Sequence, residues 1–367
     1  MYNPSNELMG ETMQKQATSS SKVQYFKDIA THCSQYKQPV FSKSLIQLTL
    51  TLSLFLASCS GLYLSVQYSF FLGYALLLLP TAGLLVKLFI IQHDCGHGSF
   101  FKSTKANNYL GRTMSLFTWT PYYYWKRMHN IHHAGSGNLE RRGYGAIETL
   151  TIQEYKALPK GEKFKYRLYR NPYLLLLIGT PLFMIIAQRF SMCQPFILPD
   201  GSKRLTFSGN SIMKSVMGTN LSLLVVYGAL GYFLGYSTLL HTYLPVLVAT
   251  CWIGGWLFYV QHQFEETHWD RQHTWSYNEA AIMGSSYYDL PKWLQWFTGN
   301  IGIHHVHHLN ASIPNYRLQE CIDDLPDLKT INRMTLKDSF QCLQWALWDE
   351  DNRKMVPFSA LKSAHNI

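Results

Sequence analysis

Polar positions thin out over four stretches of this chain. Residues 44 to 67, SLIQLTLTLSLFLASCSGLYLSVQ, are followed after a two-residue break by 70 to 91, FFLGYALLLLPTAGLLVKLFII; the arrangement recurs at 215 to 236, SVMGTNLSLLVVYGALGYFLGY, and 239 to 260, LLHTYLPVLVATCWIGGWLFYV. Each stretch can cross a hydrocarbon core, which takes about 20 apolar residues as helix. Lys43 stands just before the first, and Lys87 is the one charged residue inside any of them, near enough to an end to snorkel. The short breaks make each pair a helical hairpin. A fifth stretch, 173 to 187, YLLLLIGTPLFMIIA, contains Gly179 and Pro181 and ends at Gln188 and Arg189. It is short for a span and suits an interfacial or re-entrant helix.

Charge orients these elements. Of the 32 Lys and Arg residues, 5 lie in 1 to 43, 17 in 92 to 214 and 9 in 261 to 367, and the hairpin turns carry none. With four spans, all three basic segments share one side, which the positive-inside rule makes the cytoplasm. A fifth crossing would put the last of them outside. The expected fold is therefore an all-α integral membrane protein. Its four transmembrane helices form two hairpins, with a cytoplasmic helical cap between and beyond them. The expected organisation is a cytoplasmic N-terminal tail over 1–43, a membrane domain over 44–330 and a cytoplasmic C-terminal tail over 331–367.

Composition agrees: 47% of residues are hydrophobic and only 15% charged, against about 25% charged in ordinary soluble domains. The net charge of +10 suits a face held against anionic lipid head groups. No motif points to nucleic acid. The N-terminus, MYNPSNELMGETMQKQATSSSK, lacks the apolar core of a cleavable signal, so the first span would direct insertion. Seven scattered cysteines without a C-x-x-C pair suggest reduced or buried thiols and no disulfide framework.

The 15 histidines are placed less randomly than their number suggests. His93 and His97 are spaced i, i+4 in QHDCGHGS, directly after the second span. His129, His132 and His133 in HNIHH are spaced i, i+3, i+4, and His304, His307 and His308 in HHVHH repeat that spacing. On a helix such positions share a face, so their ring nitrogens can converge on one ion. A single histidine beside an apolar span is ordinarily an interfacial or core residue, the reading that suits His32, His241 and His365. Packing does not call for the same imidazole spacing twice over. Eight imidazoles exceed what one tetrahedral zinc can use, so at least two ions are expected. Nitrogen ligation suits zinc, copper, nickel or iron, and the spacing alone does not choose. A site at the cytoplasmic ends of spans favours chemistry on an apolar substrate, and removing hydrogen from unactivated methylenes needs a redox metal and dioxygen, which favours iron. His262, just beyond the fourth span as His93 is beyond the second, is the candidate ninth ligand. Its neighbours Glu265 and Glu266 are candidates to orient imidazole N–H groups, and His268 and His273 are weaker candidates as ligands. The aromatic runs FTWTPYYYW (117–125) and PKWLQWF (291–297) read as interfacial belts.

These clusters resemble the boxes of the membrane fatty acid desaturases, the histidine-box family with two irons: HDCGH from His93 to His97, HNIHH from His129 to His133, and HHVHH from His304 to His308. The text around them, HNIHHAGSGNLERRGYG, VQHQFEETHW and TGNIGIHHVHHLNASIPNYRLQEC, is similar to the bacterial acyl-lipid branch, and the resemblance covers about residues 44 to 330. It implies a reaction in which dioxygen and two electrons turn a CH2–CH2 pair of an acyl chain into a double bond. It implies box histidines holding two Fe ions, and an apolar tunnel that selects the bond. The electrons would come from a separate donor of ferredoxin or cytochrome b5 type, since no HPGG pattern marks a fused cytochrome b5. Lys126, Arg127, Arg141 and Arg142 are candidates to dock an acidic donor. Animal relatives carry an Asn four residues before the ninth histidine, where this chain has Phe258. The first box is H-x3-H, unlike the H-x4-H of the acyl-CoA branch. A di-iron hydroxylase or ketolase of lipids or carotenoids is the neighbouring alternative. The resemblance implies a bacterial plasma-membrane protein, and the charge distribution puts its active site on the cytoplasmic face.

Overall fold

The computed structural model describes residues 19–143, 145–190 and 210–363. Residues 1–18 of the expected N-terminal tail, together with His365 and Cys193, lie outside the described residues. After helix α1 (Ser19–Ser34) come the four long apolar helices: α2 (Phe41–Gln67) with α3 (Phe71–His97), and, after the shorter α4 (Thr104–Thr118), α5 (Tyr122–Gly135), α6 (Ile152–Ala157) and α7 (Lys160–Tyr169), α8 (Asn210–Leu234) with α9 (Tyr236–His262). They form the two expected hairpins, whose turns meet. Tyr63 Oη donates to the Leu234 carbonyl at 3.4 Å, and Tyr74 Oη to the His241 carbonyl at 2.9 Å.

α3 and α9 are the inner pair, with 50% and 44% of their most apolar stretches buried against 17% in α2 and α8. Leu84, Leu85, Leu88 and Ile91 of α3 pack with Phe55 and Leu62 of α2 and Val246 and Leu247 of α9. Leu50, Leu54, Leu72, Leu76, Leu221 and Leu224 stay exposed, as a lipid-facing surface requires. At 27 residues each, α3 and α9 are about 40 Å long, some 10 Å more than the hydrocarbon core. That excess leaves room for one end of each to project beyond the apolar layer, and the ends away from the turns carry His93, His97 and His262. α3 stops at Gly98, whose φ of 76° is the left-handed cap that glycine adopts without strain.

The ends opposite the two turns are covered by short elements: α4 (Thr104–Thr118), α5 (Tyr122–Gly135), α6 (Ile152–Ala157), α7 (Lys160–Tyr169), α10 (Tyr277–Met283), α11 (Lys292–Phe297), α12 (His304–Leu309) and α13 (Asn315–Asp324). Ser103 caps α4 by accepting from Ala106 N, and Thr151 with Glu154 makes a capping box on α6. Helix α1 packs on the cap through Phe26, Ile29 and Cys33 against Val306, Leu309 and Leu318.

Small strands, which the apolar pattern did not foretell, bind the cap together. β1 (Leu150–Thr151) runs parallel to β4 (Leu347–Asp349), which pairs antiparallel with β5 (Lys354–Val356); β2 (Tyr287–Asp289) runs parallel to β3 (Arg333–Thr335). Residues 333–356, within the stretch expected as a C-terminal tail, thus supply three of these strands. Strands of two or three residues carry little periodicity, which is why pattern reading passes over them.

The fifth apolar stretch forms wide helical turns over Leu174–Gly179 and Leu182–Ile186, bent 70° from α7. It lies against α9, where Trp252 Nε1 donates to the Leu177 carbonyl at 3.0 Å. Lys87 departs from the snorkelling expectation. It is 5% exposed, and its Nζ sits 3.4 Å from the centroid of the Trp296 ring. A cation over an indole face is attracted by the ring quadrupole, so α11 covers this charge from the cap side.

Candidate metal centre

Four elements bring imidazoles to one place: the ends of α3 and α9, and the cap helices α5 and α12. All nine histidines singled out in the sequence come together there, in two groups. The ring nitrogens of His93, His97, His129, His133 and His307 converge in one, and those of His132, His262 and His308 in the other. His304 joins the second through a 3.0 Å approach of its Nε2 to His262 Nε2, and its ring centroid lies 4.6 Å from that of His308. The groups touch where His133 stacks on His308, with centroids 4.1 Å apart and planes at 14°.

Helix geometry explains the sorting. Residues four apart point nearly the same way, while adjacent residues differ by about 100°. Each i, i+4 pair therefore stays in one group: His93 with His97, His129 with His133, His304 with His308. The histidine just before the last of each triplet crosses over, His132 to the second group and His307 to the first.

The donor set fits metal ions. Imidazole nitrogens held about 2.1 Å from one ion at right angles lie about 3.0 Å apart. Here Nε2 atoms approach at 3.0 Å (His304–His262), 3.1 Å (His133–His129 and His307–His133) and 3.2 Å (His132–His262). Nε2 of His93, His97 and His308 is buried with no hydrogen-bond partner, a costly arrangement unless something accepts the lone pair. Burial pushes the pKa of His129, His132, His133, His304, His307 and His308 well below the usual histidine value, which keeps these rings in the neutral form that ligates.

The surroundings hold the rings in place. Trp125 stacks on His129 at 4.6 Å and 18°. His262 Nδ1 donates to the Gly284 carbonyl at 3.4 Å. Phe258, four residues before His262, places its ring 5.4 Å from that of His132 and 5.1 Å from that of His262, an apolar wall with no donor or acceptor. Sequence reading passed over Asp94: its Oδ1 lies 3.2 Å from His93 Nδ1. Its only signal was its place next to His93 inside HDCGH.

Several other candidates go elsewhere. His305 Nε2 donates to the Leu328 carbonyl at 2.9 Å. His268 pairs with Asp270 at 2.6 Å, and Glu265 lies 3.6 Å from Lys354, so neither faces the imidazoles. His32 donates to the Cys321 carbonyl at 2.9 Å. Arg142, a candidate for donor docking, is 7% exposed and turned onto Glu154 at 2.5 Å and Glu148 at 3.4 Å. A narrow cleft lined by His132, Arg142, Ile147, His262, Gln263 and Trp269 adjoins the second group.

Two imidazole clusters at the ends of apolar helices narrow the chemistry, and comparison with known proteins decides the family. The model of the family described as "Fatty acid desaturase" matches residues 69–328, which takes in all nine histidines. The chain belongs to the fatty acid desaturase family. It is 40% identical over 336 residues to a fatty acid desaturase of Bacillus subtilis (strain 168), covering 92% of each chain. It is 26% identical over 249 residues to the sn-1 oleoyl-lipid 12-desaturase of Picosynechococcus sp., covering 66% of this chain and 67% of that one. Against the ferredoxin-linked sn-1 acyl-lipid omega-3 desaturase of Synechocystis sp. the identity is 27% over 259 residues, covering 68% and 66%. Membership of this desaturase family makes the protein an oxidoreductase of lipid metabolism, and its four long apolar helices are those of a membrane protein.

Proposed function

We propose that this desaturase inserts a double bond into an acyl chain carried on a membrane lipid, using dioxygen and two electrons from a separate donor. The observation that carries the reading is the convergence of nine imidazoles into groups of five and four at the ends of α3 and α9. In this reading His93, His97, His129, His133 and His307 hold one iron, and His132, His262, His304 and His308 the other. Bound there, the pair would supply the oxidising power needed to remove hydrogen from an unactivated CH2–CH2 unit. With two protons taken up, the overall change releases two waters for each alkene formed.

The chain's own contribution is placement and apolar surroundings. α3 and α9 carry the imidazoles at the ends of apolar helices, where an acyl chain drawn from the bilayer would meet them. Phe258 packs its ring against His132 and His262, and Trp125 stacks on His129, so apolar surface lies against the imidazoles. The lipid-linked substrate is supported by the relatives named for acyl-lipid activity, and a ferredoxin-type donor by one of them. The 5, 17 and 9 basic residues of the cap segments support a cytoplasmic cap.

The test is expression with a ferredoxin and its reductase in a host that lacks the activity, followed by mass spectrometry of total fatty acids and of intact lipids. New monoenes or dienes on lipids, with two irons per chain in the purified protein, are expected. Hydroxylated acyl chains without alkenes would replace this reading with that of a hydroxylase.

A further inference from the structure

Asp94 is a carboxylate in an unusual position. It is 2% exposed, and among the described residues no lysine or arginine comes within ion-pair distance of it. A buried carboxylate is costly unless hydrogen bonds and nearby positive charge compensate it. Its Oδ2 accepts from both Asn315 N, at 2.7 Å, and Asn315 Nδ2, at 2.8 Å. Its Oδ1 faces His93 Nδ1 at 3.2 Å. Asn315 is fixed in turn by Gln47 of α2, whose Nε2 donates to Asn315 Oδ1 at 2.8 Å and whose Oε1 accepts from Asn315 Nδ2 at 3.3 Å.

The chain of contacts runs Gln47, Asn315, Asp94, His93. It joins the first long helix, the start of α13 just after the third histidine cluster, and the end of α3. Every polarity along it is determined. Oδ2 is committed to two N–H donors, so Oδ1 is left as an acceptor for His93, and His93 must carry its proton on Nδ1. That leaves the lone pair on Nε2, the atom that is buried without a hydrogen-bond partner and belongs to the five-imidazole group.

We infer that Asp94, held by Asn315 and Gln47, is a positioning residue that sets the tautomer and orientation of His93 for metal binding. The inference rests on the proposal that the five-imidazole group holds a metal ion. A carboxylate behind a ligating imidazole fixes its ring and raises its basicity, and losing such a partner lowers metal affinity by about 10- to 100-fold.

Asp94→Asn tests this sharply. With its amide oxygen toward Asn315, the variant turns an NH2 group on His93 Nδ1, which must then accept, and the proton moves to Nε2 where the ion would bind. With the amide reversed, two sets of N–H donors oppose each other at Asn315. Either way the support for the ligating tautomer is lost. Asn315→Ala, a milder change, removes one donor and keeps the carboxylate.

The experiment titrates the full-length, metal-stripped protein in detergent with Co(II), following the visible absorption bands, and measures thermal unfolding on the same samples. Wild type is expected to take up two ions. Asp94→Asn should weaken one of them by about 10- to 100-fold and leave the other unchanged, with Asn315→Ala changed in the same direction by less. Wild type that binds no metal would overturn the functional reading, and this inference with it. Wild type that loads fully while Asp94→Asn shows unchanged affinity at both sites, with or without a lower unfolding temperature, would overturn the inference alone and leave Asp94 a structural link between α3 and α13.

Discussion

His304 and His305 are neighbours in the chain with opposite surroundings. His304 Nε2 lies 3.0 Å from His262 Nε2 inside the imidazole cluster, while His305 Nε2 donates to the Leu328 carbonyl at 2.9 Å. Successive residues of a helix point about 100° apart, and one turn of α12 sends the two rings to different jobs. His304→Ala should therefore lose an iron and lower desaturation by more than about 100-fold, beyond the loss typical of a partner behind a ligand. His305→Ala should keep both irons and instead lose about 1–3 kcal/mol of stability from the unpaired Leu328 carbonyl. Iron analysis of the two purified variants separates them, and equal iron loss in both would defeat the assignment.

The same buried ring sets a pH dependence. Burial lowers the His305 pKa from 6.5 to about 4. The unfolded chain, titrating near 6.5, takes up its proton first, so this contribution to stability is complete above pH 6.5 and is lost as pH falls toward 4. The loss amounts to about 1.4 kcal/mol per pH unit across that window. The unfolding temperature of the metal-free protein should drop on acidification, and His305→Gln, which keeps a donor for Leu328, should drop less steeply. Parallel curves for the two proteins would count against this account.

Gly96 lies where α3 meets Trp125. A Cβ added there would fall 2.9 Å from Trp125 Cζ3, and Trp125 stacks on His129. Gly96→Ala should displace the indole and, through it, His129, reducing iron content before it unfolds the protein. Replacing Trp125 by Leu in the same background should restore part of that iron; no recovery would place the damage elsewhere.

Metal removal should be visible as lost stability, because ions that bind only the folded state stabilise it by mass action. At 100 times the dissociation constant the effect is about 2.7 kcal/mol per site. Treatment with an iron chelator is expected to lower the unfolding temperature, and added Fe(II) to restore it. The variant lacking His97, His133 and His308 should show neither response.

Cys33 of α1 and Cys321 of α13 are buried with their Sγ atoms 3.6 Å apart. A mild thiol oxidant should join them into a disulfide, releasing two protons and two electrons to the oxidant, and peptide mass spectrometry should find Cys33 linked to Cys321. Failure of this cross-link in otherwise folded protein would contradict the docking of α1 on the cap.

The sequence by itself determined the four apolar helices and their pairing, because a span of about 20 apolar residues is a local property. It also supplied the nine histidines and the helical spacing that gathers them by twos and threes. Only the tertiary structure decided which imidazoles share a group, since that depends on how α5 and α12 are rotated against the ends of α3 and α9. His132 and His133 are adjacent and serve different groups; His307 of α12 joins His93 of α3. The pairing of Leu150 with Leu347 and the contact of Gln47 with Asn315 span about two hundred residues or more, and nothing in either local pattern announces the other. Asp94 was legible only as the second letter of HDCGH. Its role appears once Asn315, brought from the far side of the third cluster, occupies one carboxylate oxygen and leaves the other for His93.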